Sequence, residues 1–252
     1  MPGFVSHTVM AHDVYRKIDS SKVDINYMVT YSLGGDLCKY AKCRYDSHHT
    51  DMDKFIYTMA DYIKDNKLEN NKKVMGVLYG HICHYVMDSV IHPLVRKVDK
   101  SCVKNKNNHT LIEEYYDSYL VKERYKIDKR VYLRKGILKS KNNRDVNKLI
   151  NYIYLNIYKT KNVSIYYQFN LFLYRLLSRV YIICNKGVIE KIIKLDKFLI
   201  NNSDIDLFND DNKIRYKDYL NRECSDNLIS LYDESVLLAY EYINNVNEYL
   251  GI

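Results

Sequence analysis

The segment from Lys72 to about Arg96 constrains the fold most, because it combines an apolar helical pattern with three potential metal ligands. Its apolar residues recur with the period of an α-helix: Val74, Val77, Leu78, Ile82, Val86 and Ile91. His84, Asp88 and His92 follow at intervals of four residues, which places them in a column along one helix face. Burying a carboxylate between two imidazoles is costly unless these groups are paired or bind a cation. The segment therefore predicts a buried helix that carries a metal site.

The rest of the chain is expected to be all-α. It contains only two prolines and eight glycines in 252 residues, whereas a sandwich or barrel needs turn residues at short intervals. We expect one compact multi-helix bundle over residues 1–252. In it, residues 1–120 carry the metal site, and residues 126–252 add helices whose role stays open.

Three local features have specific expected structures. Ser6 is predicted to cap a first helix that runs to about Ile18. Pro93 is expected to kink the central helix or to start its end. The polar segment 201–225 is predicted to be a long connection between helices.

A second helix, from about His109 to Tyr125, repeats the ligand pattern. His109 and Glu113 are four residues apart, and Asp117 follows one turn later. Imidazole nitrogen and carboxylate oxygen are ligands that zinc accepts. Two helices joined by a short loop can therefore share metal ions. The alternative is that the histidines are hydrogen-bonded core residues and that Asp88 pairs with a lysine.

The distribution of histidines favours a cluster over that alternative. All eight lie within the first 109 residues: His7, His12, His48, His49, His81, His84, His92 and His109. Histidines placed without a shared purpose would be spread over the chain. His81 is one position off the column of His84, so we expect it to support the ligands or to pack in the core.

The six cysteines and the first residues narrow the class of protein. The cysteines are irregularly spaced and form no Cys-x-x-Cys pair, so neither a zinc ribbon nor a thioredoxin-type site is expected. The first residues have no basic region followed by an apolar run, so no signal peptide is predicted. Charges interrupt the apolar runs, and no transmembrane helix is expected. The predicted location is the cytoplasm, with peripheral membrane contact as an option.

Positive charge is concentrated in residues 122–148. The chain has a formal net charge of +8, and this stretch holds eleven lysines and arginines against three acidic residues. Such a stretch fits a phosphate-bearing partner, either an anionic membrane or a nucleic acid. The alternative is a solvated, lysine-rich face.

The central segment also resembles a known family. Residues 80–93 read GHICHYVMDSVIHP and are similar to the pattern G-F-x-C-H-Y-x-x-D-x-x-x-H-P of the zinc-dependent phospholipase C family, whose superfamily includes single-strand-specific zinc nucleases. Residues 1–7 resemble the opening of intracellular bacterial members. Residues 34–36 are similar to a Gly-Pro-Asp turn, with Gly35 in place of proline. Residues 47–53 resemble a His-x-x-Asp-x-Asp block. The resemblance covers about residues 1–120, with a fainter similarity at 230–234.

This resemblance implies a helical bundle with two or three zinc ions in a cleft. The first ion would be held by Asp36, His48, His84 and Asp88. The second would be held by His92, His109 and Glu113. The third would be held by His7, with Asp88 as a bridge and the chain's amino group as a further candidate. His49 competes with His48 for its position. The spacing of four between Asp88 and His92 differs from the six of the secreted lipases.

The activity that the resemblance implies is phosphodiester hydrolysis. The first hypothesis is a phospholipase-C-like enzyme that cleaves a phospholipid and releases a phosphorylated headgroup. Asp36 would then act as a zinc ligand and as the base that activates water, while Asp117 or Glu114 would orient the imidazoles. The second hypothesis is a nuclease or a small-molecule phosphodiesterase with the same site. The third is a binding protein that zinc stabilises without catalysis. The oligomeric state stays open.

Overall fold

Nine α-helices build the part of the chain that the computed structural model describes, which comprises residues 3–38, 41, 51–101, 108–183 and 208–252. They are α1 (Phe4–Tyr15), α2 (Ile25–Tyr31), α3 (Met52–Asp65), α4 (Lys72–Ser101), α5 (Asn108–Tyr125), α6 (Lys129–Arg134), α7 (Arg144–Tyr158), α8 (Val163–Ile183) and α9 (Leu228–Leu250). Short 3₁₀ turns lie at Ser20–Lys22 and Gly34–Cys38. The predicted all-α fold class is confirmed.

Helix α4 is the centre of the core, and it packs most extensively against α2 and α9. Two glycines let α2 approach closely. A Cβ atom on Gly76 would lie 2.7 Å from the carbonyl oxygen of Asp24, and one on Gly80 would lie 2.6 Å from that of Met28. Since real Cβ contacts are longer than this, glycine at both positions sets the distance between the two helices.

Within the described ranges, α4 is also the one helix that is long and apolar enough to cross a membrane by length and composition. Its most apolar window is 89% buried inside the protein. A helix that is apolar on all sides and covered by its neighbours is typical of a protein core. The apolar character of α4 is thus accounted for by its central position.

The expectation for Pro93 is corrected in part, because α4 continues through this residue to Ser101. Proline cannot donate a backbone hydrogen bond to the carbonyl four residues earlier. That carbonyl belongs to Ser89, which is exposed, so water can replace the missing donor. The helix therefore extends about one turn beyond the predicted end.

The predicted Ser6 cap is wrong, and a carboxylate from α5 takes its place. Helix α1 begins at Phe4, and Gly3 at its N-cap position makes no side-chain capping bond. The backbone N–H groups of Val5 and Ser6 donate to Asp117 Oδ2 and Oδ1 at 3.2 and 2.7 Å. A Cβ on Gly3 would lie 2.3 Å from this carboxylate, so glycine is needed for Asp117 to reach the helix end.

Several other helices begin where the sequence supplies a polar capping side chain. Carboxylate or amide oxygens accept backbone N–H bonds at the starts of α2, α3, α6, α7 and α9, from Asp24, Asp51, Asp128, Asn143 and Asn227 respectively. These caps satisfy donors that a helix start leaves without a partner. Local sequence thus determines where much of the bundle starts.

The C-terminal half contributes an antiparallel hairpin that was not predicted. Strands β1 (Tyr216–Lys217) and β2 (Glu223–Cys224) pair with Tyr216 opposite Cys224. The Asp218 carboxylate accepts N–H bonds from Leu220 and Arg222 across the turn. In the described part of segment 201–225, the connection is therefore structured. The prediction of one domain over residues 1–252 stays a prediction.

Candidate metal centre

Helix α4 presents the three predicted ligands as a column centred on a carboxylate. His84 Nε2 lies 3.6 Å from Asp88 Oδ2, and His92 Nε2 lies 3.9 Å from the same oxygen. His84 is fully buried, and the side chains of Asp88 and His92 each keep 16% of their surface exposed. The spacing of four residues therefore brings all three groups together, as the sequence predicts.

Helix α1 brings His7 to the other oxygen of the same carboxylate. His7 Nε2 lies 3.3 Å from Asp88 Oδ1, and the side chain is fully buried. The His7 and His84 rings have centroids 4.6 Å apart. Asp88 thus lies between three imidazoles, with His7 facing one oxygen and the α4 histidines facing the other.

The 3₁₀ turn at Gly34–Cys38 adds Asp36. His7, Asp36 and His84 each offer one ligand atom, and these atoms all lie within 4.8 Å of one another. Gly34 has a positive φ of 44°, and a Cβ there would lie 2.2 Å from the His84 ring. Only glycine tolerates both the backbone conformation and this contact. Gly34 therefore lets the turn that carries Asp36 approach α4.

The donor atoms of this group fit a divalent cation. In the described part of the chain, the buried Nδ1 atoms of His7 and His92 have no hydrogen-bond partner, and His7 Nε2 and Asp88 Oδ1 lie 3.3 Å apart without good hydrogen-bond geometry. Buried polar atoms are normally hydrogen-bonded, so each exception needs an explanation. Imidazole nitrogen and carboxylate oxygen are the donors that zinc accepts, and coordination would supply the missing partners.

Protonation states also suit cation binding. Burial alone would raise the pKa of Asp88, but the imidazoles of His84, His7 and His92 outweigh burial and hold this pKa well below its usual range. Burial lowers the pKa of His92 to about 3, although Asp88 opposes that shift. Asp88 is therefore ionised and His92 is neutral near pH 7. Metal ligands of both types bind in these forms.

The predicted second pair lies on α5, next to His92. His109 Nε2 is 3.0 Å from Glu113 Oε1, and the His92 and His109 rings stack with centroids 5.6 Å apart. The His109 side chain is 38% exposed. This end of the centre therefore opens towards solvent, whereas His7 and His84 are fully enclosed.

Asp99 is a neighbour of the centre that the sequence analysis missed. Its Oδ2 atom lies 3.7 Å from His109 Nδ1. Asp99 follows His92 by seven residues, so it continues the α4 column by two further turns. This spacing could have identified Asp99 from the sequence, but the helix was expected to end near Arg96, before Asp99.

Three other polar residues have partners outside the centre. The His81 ring bonds to the Val77 carbonyl oxygen at 2.9 Å and to the Tyr167 hydroxyl at 3.1 Å, so both of its nitrogens are used. Glu114 and Asp117 pair with Lys129 Nζ at 2.5 and 3.3 Å. The expectation that Glu114 or Asp117 orients the imidazoles is therefore replaced by a structural ion pair.

The remaining predicted ligand, His48, and its competitor His49 lie outside the described residues. Seven of the eight predicted ligands are placed by the structure: His7, Asp36, His84, Asp88 and His92 form one group, and His109 and Glu113 adjoin it. Their role as zinc ligands stays a prediction. We call the group of five the Asp88 cluster.

A helical fold in which buried histidines and carboxylates lie this close together can hold a metal ion, as metal-dependent proteins do. Residues 6–170 match the model of the family described as zinc dependent phospholipase C. That match covers more than half of the chain, so the protein belongs to the zinc-dependent phospholipase C family. It is a zinc-dependent hydrolase of the phospholipase C and nuclease type. No curated protein and no solved structure matched the chain.

Proposed function

We propose that the protein cleaves the phosphodiester bond of a phospholipid and releases a phosphorylated headgroup. The observation that supports this proposal best is the Asp88 cluster, in which buried ring nitrogens of His7 and His92 have no hydrogen-bond partner among the described residues, in a chain of the phospholipase C family. Two or three zinc ions would be held by the seven described ligands together with His48.

Zinc at such a site would lower the pKa of a bound water and withdraw charge from the phosphate oxygens. The protein supplies the arrangement around it. Both carboxylate oxygens of Asp88 face imidazoles, so Asp88 could be a ligand of two zinc ions. His7 and His84 are enclosed by protein, which excludes water from one side of the site. His109 and Glu113 lie at the more exposed end, where a substrate can enter.

Asp36 is the residue that we assign to the proton transfer. Asp36 is buried. One of its carboxylate oxygens and one ring nitrogen each of His7 and His84 lie within 4.8 Å of one another. A carboxylate oxygen there can orient an attacking water and accept its proton. The water oxygen then bonds to phosphorus as the bond to the glycerol oxygen breaks, and the glycerol oxygen takes up a proton from solvent while Asp36 later releases the one that it accepted. The products are a diacylglycerol and a phosphorylated headgroup.

The test is hydrolysis of a phosphatidylcholine-type substrate by protein that contains zinc. We expect release of the phosphorylated headgroup, and we expect Asp36→Asn to abolish it while zinc content and thermal stability stay close to those of the wild type. Asp61→Asn, a change at an exposed residue of α3, is the matched control and should keep full activity.

Two results would replace the proposal. Cleavage of single-stranded nucleic acid with no lipid hydrolysis would make the protein a nuclease with the same site. Full zinc occupancy with no turnover of either substrate would make the centre structural. Both assays use the same zinc-loaded preparation, so they can be compared directly.

A further inference from the structure

Helix α8 exposes a continuous apolar face. Large apolar side chains that are at least 45% exposed recur at helical spacing along it: Ile165, Phe169, Phe172, Leu176, Val180 and Ile183. Phe172, in the middle of this face, keeps 59% of its surface accessible, and Leu177, which lies beside the face, keeps 60%. Contiguous apolar surface of this kind marks a place where a protein contacts a partner or a membrane.

The opposite face of α8 packs onto the segments that build the metal centre. Asn170 donates a hydrogen bond to the carbonyl oxygen of Leu37 at 2.9 Å, in the turn that carries Asp36. The Tyr174 ring packs on Phe4, at the start of the helix that carries His7, with centroids 5.4 Å apart. The exposed apolar face therefore lies on the side of α8 that is turned away from the segments that carry Asp36 and His7.

Basic residues outnumber acidic ones in α8 and in the segment that precedes it. Residues 128–183 contain twelve lysines and arginines and two acidic residues, Asp128 and Asp145. Exposed members of this set are Arg134, Lys135, Lys139, Lys141, Arg144, Lys148, Lys159, Lys161 and Arg179. Arg175 of α8 donates to the carbonyl oxygens of Leu138 and Ser140 at 2.9 and 2.5 Å, which holds Lys139 and Lys141 next to the helix.

We propose that the outer face of α8 docks onto an anionic lipid surface, with its apolar side chains in the headgroup region and the flanking lysines and arginines on lipid phosphates. Apolar residues on one helix face beside basic residues are what interfacial binding requires. This docking site adds to the proposed function and rests on it. Docking would bring the metal centre to the lipid phase that contains the proposed substrate.

The charge of the surface argues for lipid as the occupant. A second copy of the chain would bring the same excess of positive charge against this face, and like charges would oppose that contact. An anionic bilayer offers a continuous negative potential and an apolar interior at the same time. The outer face of α8 and its flanking basic residues match both properties.

The test is sedimentation of the full, zinc-loaded chain with two kinds of vesicle. One kind is pure phosphatidylcholine, and the other contains phosphatidylserine as well. We expect binding to the vesicles that contain phosphatidylserine, and at least tenfold weaker binding by the double variant Phe172→Ser/Leu176→Ser. Circular dichroism checks the fold, which exposed substitutions should leave intact.

Matched controls distinguish the contribution of the outer face of α8 from that of apolar or basic residues elsewhere on the surface. Leu237→Ser removes an apolar residue of α9 that is 52% exposed and should leave vesicle binding unchanged. Lys139→Glu/Lys141→Glu should weaken binding, whereas Lys54→Glu on α3 should not. Equal binding by the wild type and the Phe172/Leu176 variant would overturn the inference. So would an absence of vesicle binding, or a change in oligomeric state caused by that variant alone.

A second substrate separates this inference from the proposed function. Hydrolysis of a short-chain phosphatidylcholine below its micelle concentration depends on the metal centre and not on docking. The Phe172/Leu176 variant should keep this activity while it loses activity on vesicles. Vesicle binding without hydrolysis of the short-chain lipid would leave docking in place and overturn the proposed function alone.

Discussion

His81 and His84 lie three residues apart on α4, and both imidazoles are fully buried, yet their surroundings differ. His81 bonds to the Val77 carbonyl and to the Tyr167 hydroxyl, which in turn lies 2.9 Å from the hydroxyl of Tyr154. His84 instead faces His7, Asp36 and Asp88. A buried histidine is thus structural where protein groups use both nitrogens, and a candidate ligand where other ligands surround it.

Two buried carboxylates show the same contrast. Asp117 accepts hydrogen bonds from Val5, Ser6 and Lys129, so donors within the protein compensate its negative charge. Asp88 faces three imidazoles, and within the described ranges none of them makes a hydrogen bond of good geometry to its Oδ1 atom. The first carboxylate joins α1 to α5, whereas the second is a candidate ligand for a cation. Four predictions test this distinction.

Replacing Asp88 should have the largest effect. Wild-type protein purified without added metal should carry about two or more zinc equivalents. Asp88→Ala should lose zinc and melt at a lower temperature, because metal binding contributes to folding. Phosphodiesterase activity should fall on the order of 1,000-fold. Elemental analysis and thermal melting measure these changes.

Asp145→Ala serves as the control for this experiment, because it removes a carboxylate of α7 that bonds to Asn71 outside the centre. It should keep its zinc. Unchanged zinc content in Asp88→Ala would show that Asp88 is as structural as Asp117, and the contrast between the two carboxylates would disappear.

Asp117→Ala should lower the free energy of unfolding by about 3 kcal/mol, because it removes a helix cap and half of a buried ion pair. The two carboxylates of Asp117 and Glu114 outweigh burial and raise the pKa of Lys129, so Lys129 stays charged. Urea unfolding measures the loss. Adding Lys129→Met should recover part of it, and zinc content at saturating metal should not change.

A pair of leucine substitutions compares the two α4 histidines directly. His81→Leu should cost about 1–3 kcal/mol of stability, since it removes the imidazole's buried hydrogen bonds to the Tyr167 hydroxyl and the Val77 carbonyl, and it should keep its zinc. His84→Leu should lose zinc. Equal zinc loss in both variants would mean that hydrogen bonding does not separate structural histidines from ligands.

The pH dependence of stability should give the smallest effect. Burial lowers the pKa of His81 from 6.5 to about 4, so the folded state binds this proton more weakly than the unfolded state. Stability is therefore lost as the pH falls from about 6.5 to about 4. Zinc-free wild type should show a slope about 1.4 kcal/mol per pH unit steeper than His81→Leu.

Urea unfolding at a series of pH values in the presence of a chelator measures both slopes. Superimposable slopes would show that His81 titrates normally and that its environment is not as apolar as its burial indicates.

Much of the candidate site could be predicted because its signal is local. An interval of four residues on an apolar helix puts His84, Asp88 and His92 on one face whatever the rest of the chain does. The family motif in residues 80–93 made the same prediction, and the family membership is confirmed. The starts of the described helices that are capped by Asp24, Asp51, Asp128, Asn143 and Asn227 likewise follow from local capping chemistry.

Local rules failed where a distant residue supplied the partner. Ser6 is a good capping residue by type, but Asp117 reaches the same helix end from 111 positions away. Pro93 normally ends a helix, but α4 continues because its neighbours bury it on both sides of that residue. The exposed apolar face of α8 was not predicted either, because apolar periodicity does not show which side of a helix is covered.

The amino-acid sequence by itself determined the helical class, the ligand column of α4 and the family, since these depend on spacing within single segments. The tertiary structure decided the actual partners: it brings His7 to Asp88 and Asp36 to His84, which the family resemblance had only implied, and it gives both nitrogens of His81 hydrogen-bond partners outside the cluster. The physical reason is that hydrogen-bond partners of buried groups come from whichever elements pack against them. That packing depends on the whole chain.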